Sequence, residues 1–386
     1  MNTNELIKIE DDYFINTFTR QPIVLDHGQG VKVVDIDGNE YIDMFAGIAV
    51  NALGHNHPKL VSAIQNQAEK LIHISSIYYN EPALVYAKKL IDKTDFDRIF
   101  YANSGAEANE GAIKLAVKYT GKSEIISTVD SFHGRTLTTL AATGHEEYHE
   151  PFKALLPDGF INVEYNNIEA IKDAITDNTA AIIIEPVQGE GGVNVADKAY
   201  LKEIEKICRE NSIVLIVDEV QTGFGRCGSL FAHELYDIKP DIMTMAKGIG
   251  GGVPMGAILA SEEVASAFVP GDHGTTFGGG PLVCAAANAV LDVIYEDNLL
   301  EHVREVGDYF IAKLKEIDSD LIEDVRGVGL MVGVELKVKG AEYVDKLREK
   351  GFLINCTADK VLRFVPPLII TKSEIDEFVN ALSEVL

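Results

Sequence analysis

Cysteine is scarce in this 386-residue chain, with only Cys208, Cys227, Cys284 and Cys356. They stand far apart and form no CxxC pair, which excludes a zinc knuckle or a disulfide framework and predicts reduced thiols and no metal site. Positive charge is also in short supply, since 34 Lys and Arg face 60 Asp and Glu for a formal net charge of −26. Such a balance repels phosphate backbones and anionic membrane surfaces, so neither nucleic acid nor a membrane is an expected partner. The acidity itself is read as a solubility feature. No apolar run approaches the roughly 20 residues that a membrane-crossing helix needs. The opening MNTNELIKIEDDYF has neither the basic nor the apolar region of a secretory signal, which predicts a cytoplasmic location. Repeats and low-complexity linkers are lacking too. The chain is long enough for one large and one small domain, and 46% hydrophobic residues suffice for a sizeable core.

The most informative stretch runs from Ile213 to Gly256. It contains two apolar strand-like runs, IVLIV and DIMTMA, which hand Asp218 and Lys247 to the loops beyond them. A carboxylate and an amine are thereby delivered to the carboxyl edge of one sheet, where open α/β folds bind ligands. Lys247 is followed by Gly248, Gly250, Gly251 and Gly252 and has little side-chain company. Desolvated there, its pKa would fall from about 10.4 and the amine would become nucleophilic toward carbonyls. The obvious carbonyl is that of pyridoxal phosphate, held as a Schiff base, with Asp218 as the acid beside the ring nitrogen. The plainer alternative is a loop-capping Asp218 and a solvated Lys247.

A cofactor phosphate would need oriented backbone N–H groups. Asn103-Ser104-Gly105-Ala106-Glu107 follows the strand-like RIFYA and opens a helical pattern. Ser104 and Glu107 have capping-box spacing, and Gly105 lets the backbone approach an anion at the positive end of the helix. Gly274-Thr275-Thr276-Phe277-Gly278 offers a second cradle ahead of another helix. Each is also an ordinary structural motif.

From Asp97 to about Ala260, strand-like and helical runs alternate, as in a mostly parallel sheet covered on both faces. VKVVDI and NEYIDMF flank Asp37-Gly38 as a hairpin, one helix each is predicted at 58–72 and 82–94, and more than one over 281–316. The remaining strands and helices make a small α+β unit. The expected division is an N-terminal segment, 1–50, packing with the small domain; a large domain, 51–284; and the small domain, 285–386. Two motif matches compete with this picture. Gly223 to Gly228 fits GxGxxG, which would suggest an NAD-dependent oxidoreductase, but Asp218 and Glu219 intervene after the strand and would repel a pyrophosphate. His145 to His149 fits the HExxH of a zinc protease, but Gly144 and Pro151 bracket a segment with almost no apolar face, so a surface loop is expected. His55 and His57 are read as turn structure, with His55 near the site.

Eight motifs in order then carry a resemblance: GHNHP at 54–58, NSGAEANE at 103–110, FHGRT at 132–136, EPVQGEGG at 185–192, DEVQTGFGR at 218–226, AKGIGGGVPMGA at 246–257, HGTTFGGGPL at 273–282 and RFVPPL at 363–368. The chain resembles the class III aminotransferases nearly end to end. The resemblance implies a fold-type I, pyridoxal-phosphate-dependent α/β transferase, with a large mostly parallel-sheet domain and a smaller α+β domain. It implies catalytic Lys247 and Asp218, and cofactor contacts from Ser104, Gly105, Ala106, Phe132 against the ring, Gln221 on the phenolic oxygen, and Thr276. In the family that threonine comes from the neighbouring subunit, so a homodimer with shared sites is expected.

Substrate contacts would come from Thr275, Arg135, Glu190 and Arg363. The two arginines suit dicarboxylate recognition because the planar guanidinium grips carboxylate bidentately. Glu190 would hide the charge of Arg363 from a donor that brings only a terminal amine. The FHGRT and HGTTFGG wording implies N2-acetyl-L-ornithine as donor, 2-oxoglutarate as acceptor and a place in arginine biosynthesis. Ornithine, succinyl-diaminopimelate, carrier-linked lysine and 4-aminobutyrate are the alternative donors, with discriminating contacts expected around Phe45 to Asn51 and Tyr78 to Asn80.

Overall fold

A computed structural model describes all 386 residues. At its centre lies a seven-stranded sheet in the order Arg98–Ala102, Gly256–Ala260, Ile242–Met245, Val214–Asp218, Thr179–Ile184, Glu124–Thr128, Phe160–Val163. Gly256–Ala260 is antiparallel to both neighbours, and every other pairing is parallel. Six strands therefore point one way and end at one edge. The four strands from Gly256–Ala260 to Thr179–Ile184 are buried at every position, which is why they read as largely apolar runs, broken within by Thr244 alone.

Alternate side chains feed two separate cores. Ile183, Val214 and Ile216 meet Ala108, Ala112 and Ala116 of helix Gly105–Thr120 on one face. Ile182, Ile184, Leu215 and Val217 meet Leu201, Ile204 and Cys208 of helix Lys198–Asn211 on the other. A second unit is built on the antiparallel sheet Ile322–Val328, Met331–Leu336, Val361–Phe364, Asn355–Thr357. Phe310 and Phe378, from helices Leu299–Lys315 and Lys372–Val385, pack with Phe364 of that sheet at ring separations of 4.8–5.9 Å. Near the N-terminus, Glu40–Asp43 pairs in parallel with Phe352–Leu353, so the two ends of the chain share a sheet. One apolar cluster runs from Val31 through Met243 and Val290 to Leu382, joining these units.

The helices expected over 281–316 are there, as Pro281–Glu296 and Leu299–Lys315, with Asn298 at φ 52° turning the chain between them. Several elements differ from the sequence expectation. The helix expected at 82–94 spans Glu81–Ile91, since the Asn80 side chain accepts from Ala83 N and starts the helix one residue ahead of its proline. The predicted helix at 58–72 stops at Ala68. The Asp37-Gly38 turn forms, held by Asp35 Oδ1, which accepts from Asp37 N and Asn39 N. The HExxH segment is not a loop: Glu146–His149 is a helical turn that continues as a 3-10 helix, Glu150–Leu155, and His149 Nε2 donates to Leu140 O at 2.8 Å. Gly223 to Gly228 opens no helix. Its Arg226 is instead buried and donates to Leu330 O and Pro366 O at 2.9 and 2.6 Å.

Gly256 marks where sheet and site are pressed together. A Cβ on it would lie 2.4 Å from Ser104 O, and that atom belongs to backbone with nowhere to retreat. Gly256→Ala is expected to destabilise the protein by about 1–3 kcal/mol through overpacking. A lowered thermal midpoint checks this; an unchanged one would contradict the close approach.

Candidate active site

Because six strands end at one edge, the residues just beyond them converge. Asp218 closes the central strand, Glu185 follows Thr179–Ile184, His133 and Phe132 follow Glu124–Thr128, and Ser104 follows Arg98–Ala102. With Lys247, two residues beyond Ile242–Met245, they line one cavity of about 460 Å³.

Three donors hold the Asp218 carboxylate. Asn109 Nδ2 and His133 Nδ1 donate to Oδ2 at 2.7 and 2.8 Å, and Val220 N donates to Oδ1 at 2.9 Å. Asn109 is oriented in turn, because its Oδ1 accepts from Thr244 Oγ1 at 2.6 Å while its amide also donates to His133 O at 2.8 Å. The residue facing Asp218 on the neighbouring strand, Thr244, thus fixes the carboxylate through one intermediary. Glu185, which accepts from Phe132 N at 3.0 Å, has its pKa raised well above the ordinary range by burial and by the nearby Asp218 charge.

Lys247 has φ 48°, a left-handed backbone uncommon for a non-glycine residue and worth of order 1–3 kcal/mol of strain. Its pKa is lowered, first by burial and also by the Arg363 charge, against the opposing pull of Glu190, Asp218 and Glu185. The result is an amine that loses its proton more easily than a surface lysine and faces a cavity.

Arg363, only 1% exposed, donates to Glu190 Oε1 at 2.6 Å, to Gln221 Oε1 at 3.3 Å and to Asn355 Oδ1 at 3.1 Å. Burial alone would raise the Glu190 pKa. The charges of Arg363 and Lys247, with hydrogen bonds from Arg363 and Gln221, instead hold it down at about 2. The Phe45 ring centroid lies 5.8 Å from the Arg363 guanidinium. Arg135 is the opposite case: it is exposed, and its guanidinium lies 3.5 Å over the Tyr148 ring, within the HExxH segment.

Ser104 Oγ caps the helix by accepting from Glu107 N at 3.2 Å, while Glu107 reaches back to Asn103 N at 2.9 Å rather than to Ser104. At Gly105 a Cβ would meet Val220 Cγ1 at 2.8 Å, so glycine lets this backbone lie against the cavity wall. Ser104, Gly105, Ala106, Phe132, Arg135, Glu190, Asp218, Gln221 and Lys247 all line the main cavity. Arg363 reaches it through Glu190 and Gln221. Thr275 and Thr276 do not line it: within one chain they border a second cavity of about 600 Å³, where Asn103 donates to Thr275 Oγ1 at 3.0 Å. Of the segments expected to discriminate substrates, Val50 lines the main cavity, Tyr78 and Tyr79 are exposed, and Asn80 donates to Gly279 O at 3.0 Å. His55 pairs with Asp43 at 2.8 Å.

Sequence reasoning passed over Asn109, Thr244, His133, Glu185 and Tyr148. Glu185 carried the same signal as Asp218, a carboxylate directly after an apolar strand. His133 stood inside FHGRT between two residues that were singled out. Asn109 and Thr244 had no local signal.

A mixed seven-stranded sheet with an amine and a carboxylate at its carboxyl edge defines a fold-type I transferase. Residues 15–386 match the family described as aminotransferase class-III, and the chain belongs to that family. It is 55% identical over 388 residues to the acetylornithine aminotransferase of Methanothermobacter thermautotrophicus, covering 100% of this chain and 99% of that one. Among solved structures it is similar to an acetylornithine aminotransferase from Elizabethkingia anophelis, with a TM-score of 0.89, 33% identity and coverage of 100% and 98%. An ornithine aminotransferase from Toxoplasma gondii, reported with partial occupancy of PLP at its active site, gives a TM-score of 0.96, 32% identity and coverage of 99% and 93%. The chain is thus an aminotransferase.

Replacing Asn109 with Leu strips Asp218 of one donor and leaves Thr244 and His133 O unmatched. A loss of about 1.5–3 kcal/mol is expected, seen as a 10- to 100-fold fall in kcat. Unchanged turnover would show that the Asp218 position does not depend on Asn109.

Proposed function

We propose that this chain uses pyridoxal phosphate to move the terminal amine of N2-acetyl-L-ornithine to 2-oxoglutarate, giving N-acetyl-L-glutamate 5-semialdehyde and L-glutamate, a step of arginine biosynthesis in the cytoplasm. The observation that carries the reading is the pair of buried Arg363 with half-buried Glu190 in the neighbourhood of Lys247, which suits a site that must accept a plain terminal amine and a 2-keto acid in turn. The 55% identity to a curated acetylornithine aminotransferase supports the choice of donor.

The residues present fit the cofactor. The cavity is of ligand size, the glycine-bearing helix start at Ser104 to Ala106 suits a phosphate, Phe132 offers a ring face, and Gln221 offers an amide for the phenolic oxygen. Asp218, held by Asn109 and His133, would keep a proton on the ring nitrogen. When bound, pyridoxal phosphate supplies an aldehyde that receives the substrate nitrogen and a ring that accepts the electron pair left by a removed C–H proton.

Burial lowers the Lys247 pKa, so its Nζ can be neutral and take the proton from the substrate carbon that bears the amine. Arg135 has no ion-pair partner in the chain and is free to grip the carboxylate at the far end of acetylornithine. During that half-reaction Glu190 neutralises Arg363. The α-carboxylate of 2-oxoglutarate or glutamate then displaces Glu190 and takes its place on the guanidinium. Glu190 has its pKa lowered in the folded protein, so the pair is fully present above the ordinary carboxylate range, near 4.5, and is lost only as pH falls through about 2. The switch therefore works by displacement, not by titration.

A second copy of the chain would complete the site, with Thr276 of one reaching the phosphate bound by the other. Thr276 is exposed, and the neighbouring Phe277 is 64% exposed and Tyr79 92%, as suits a face covered by a homodimer partner. No helix is long and apolar enough to cross a membrane.

The purified protein should absorb visible light and bleach with acetylornithine in the absence of a keto acid, and much less readily with ornithine or 4-aminobutyrate. A coloured protein that ignores acetylornithine would move the donor to another terminal amine. Lys247→Ala should abolish turnover. Glu190→Gln should lower kcat/KM for acetylornithine roughly tenfold while leaving glutamate within a factor of two, because a buried charge loses its partner only in the first half-reaction; equal losses would overturn the switch.

A further inference from the structure

We infer that Thr357 and Arg326 are positioning residues for the Glu190 switch: they tie the main chain of its loop to the small sheet so that only the side chain moves. The inference rests on the proposed function, since it concerns how that switch is held. Glu190 stands in a hairpin between Val187–Gln188 and Asn194–Val195. Its side chain has to leave Arg363 and return in every cycle. A loop free to follow the side chain would lose the register of the pair.

The structure shows two clamps on that loop, both from the antiparallel sheet of the small unit. Thr357, buried at the end of strand Asn355–Thr357, donates its hydroxyl to the carbonyl oxygen of Glu190 itself. Two positions earlier on the same strand, Asn355 accepts from Arg363 Nε at 3.1 Å. Residues two apart on a strand share a face, so one short strand holds both partners of the switch, Arg363 by its side chain and Glu190 by its backbone. Arg326, on the first strand of the sheet, supplies the other clamp. Its Nη2 donates to Gly192 O at 2.7 Å and its Nε is shared between Gly192 O and Val193 O at 3.1 and 3.2 Å. Asp324 and Glu335 hold its remaining nitrogen at 3.0 and 2.5 Å, which fixes the fork.

The loop needs this support because its own backbone is unfavourable. Val193 has φ 58°, a left-handed conformation poorly suited to a β-branched residue, and Gly192 has φ 111°. Within the loop itself, the one side-chain bond to a backbone carbonyl is Asn194 Nδ2 to Gly191 O at 3.0 Å. Neither Thr357 nor Arg326 borders the main cavity, so their influence on chemistry would pass through the Glu190 loop and its pair with Arg363.

The test compares the two half-reactions by rapid-mixing absorbance on the cofactor-loaded enzyme. Thr357→Val removes the hydroxyl and keeps the shape. It should lower kcat/KM for acetylornithine roughly three- to tenfold, the size of one net hydrogen bond, and leave glutamate within about twofold. Thr357→Ser should restore the parent ratio, and Arg326→Lys, which keeps the charge beside Glu335 but loses the fork, should shift the ratio in the same direction. In a Glu190→Gln background Thr357→Val should change nothing further, since both act through one group. Equal losses in both half-reactions, or an undiminished effect in the Glu190→Gln background, would overturn the inference and mark Thr357 as merely structural. Bleaching of the parent protein by acetylornithine reads the underlying assignment separately, without any variant.

Discussion

An amine kept out of water is the constraint on which the rest of this protein depends. A lysine at the carboxyl edge of a parallel sheet would be a solvated cation if the loops around it were open, and a solvated cation is a poor nucleophile and a poor base. Burial removes that problem and creates another, because every other charge near the amine now acts through low-dielectric surroundings. The cavity answers with near neutrality. Arg363 is matched by Glu190, burial and the Asp218 charge push the Glu185 carboxyl toward its uncharged form, and Asp218 is encircled by donors. Each of these groups would disturb Lys247 if its partner were missing.

Backbone strain follows the same geography. Lys247 is left-handed, and so are Ala46, Ile48 and Ala49 in a short turn between Phe45, whose ring faces Arg363, and Val50, which lines the cavity. Residues in such conformations persist only where the surroundings over-determine them. Here they do: Asp43 accepts from Phe45 N and Ala46 N at 3.0 and 2.7 Å and is itself paired with His55. Beneath lies an apolar cluster that spans the chain from end to end. The rigidity of that core is what allows an unfavourable loop to keep one shape next to the reacting groups.

Much of this was legible in the sequence, and the reason is local. Strands buried on both faces must be apolar throughout, so IVLIV and AAIII announce themselves, and the residue that ends each run must lie at the sheet edge. Asp218 and Lys247 follow from that logic. The capping spacing at Ser104 was equally visible, although Glu107 bonds one residue further back than the motif implies. What was hidden depends on register between distant strands. Asn109 and Thr244 matter only because Thr244 lies opposite Asp218 in the parallel ladder, and no local pattern encodes that pairing. The HExxH turn was misjudged for a related reason. Its helix needs no apolar face of its own, because Tyr148 packs beneath Arg135 and His149 is anchored on Leu140.

The overall charge of −26 shows how far a global property can stand from a local one. A strongly acidic surface would repel dicarboxylate substrates if the field at the site followed the net charge. At the cavity a carboxylate would still find cations, since Arg135 is unpaired and Arg363 is held by a carboxylate that, in the proposed cycle, a substrate would replace. A buried ion pair of this kind contributes little net stability, because the desolvation of two charges offsets most of their attraction. Its value is therefore better sought in exchange than in stability. In the proposed cycle a substrate carboxylate taking the place of Glu190 would inherit a desolvated, pre-oriented guanidinium, while a substrate without that carboxylate would meet a surface already neutral. One pair of side chains would thus give the same pocket two electrostatic characters, and the only moving part required would be a single glutamate.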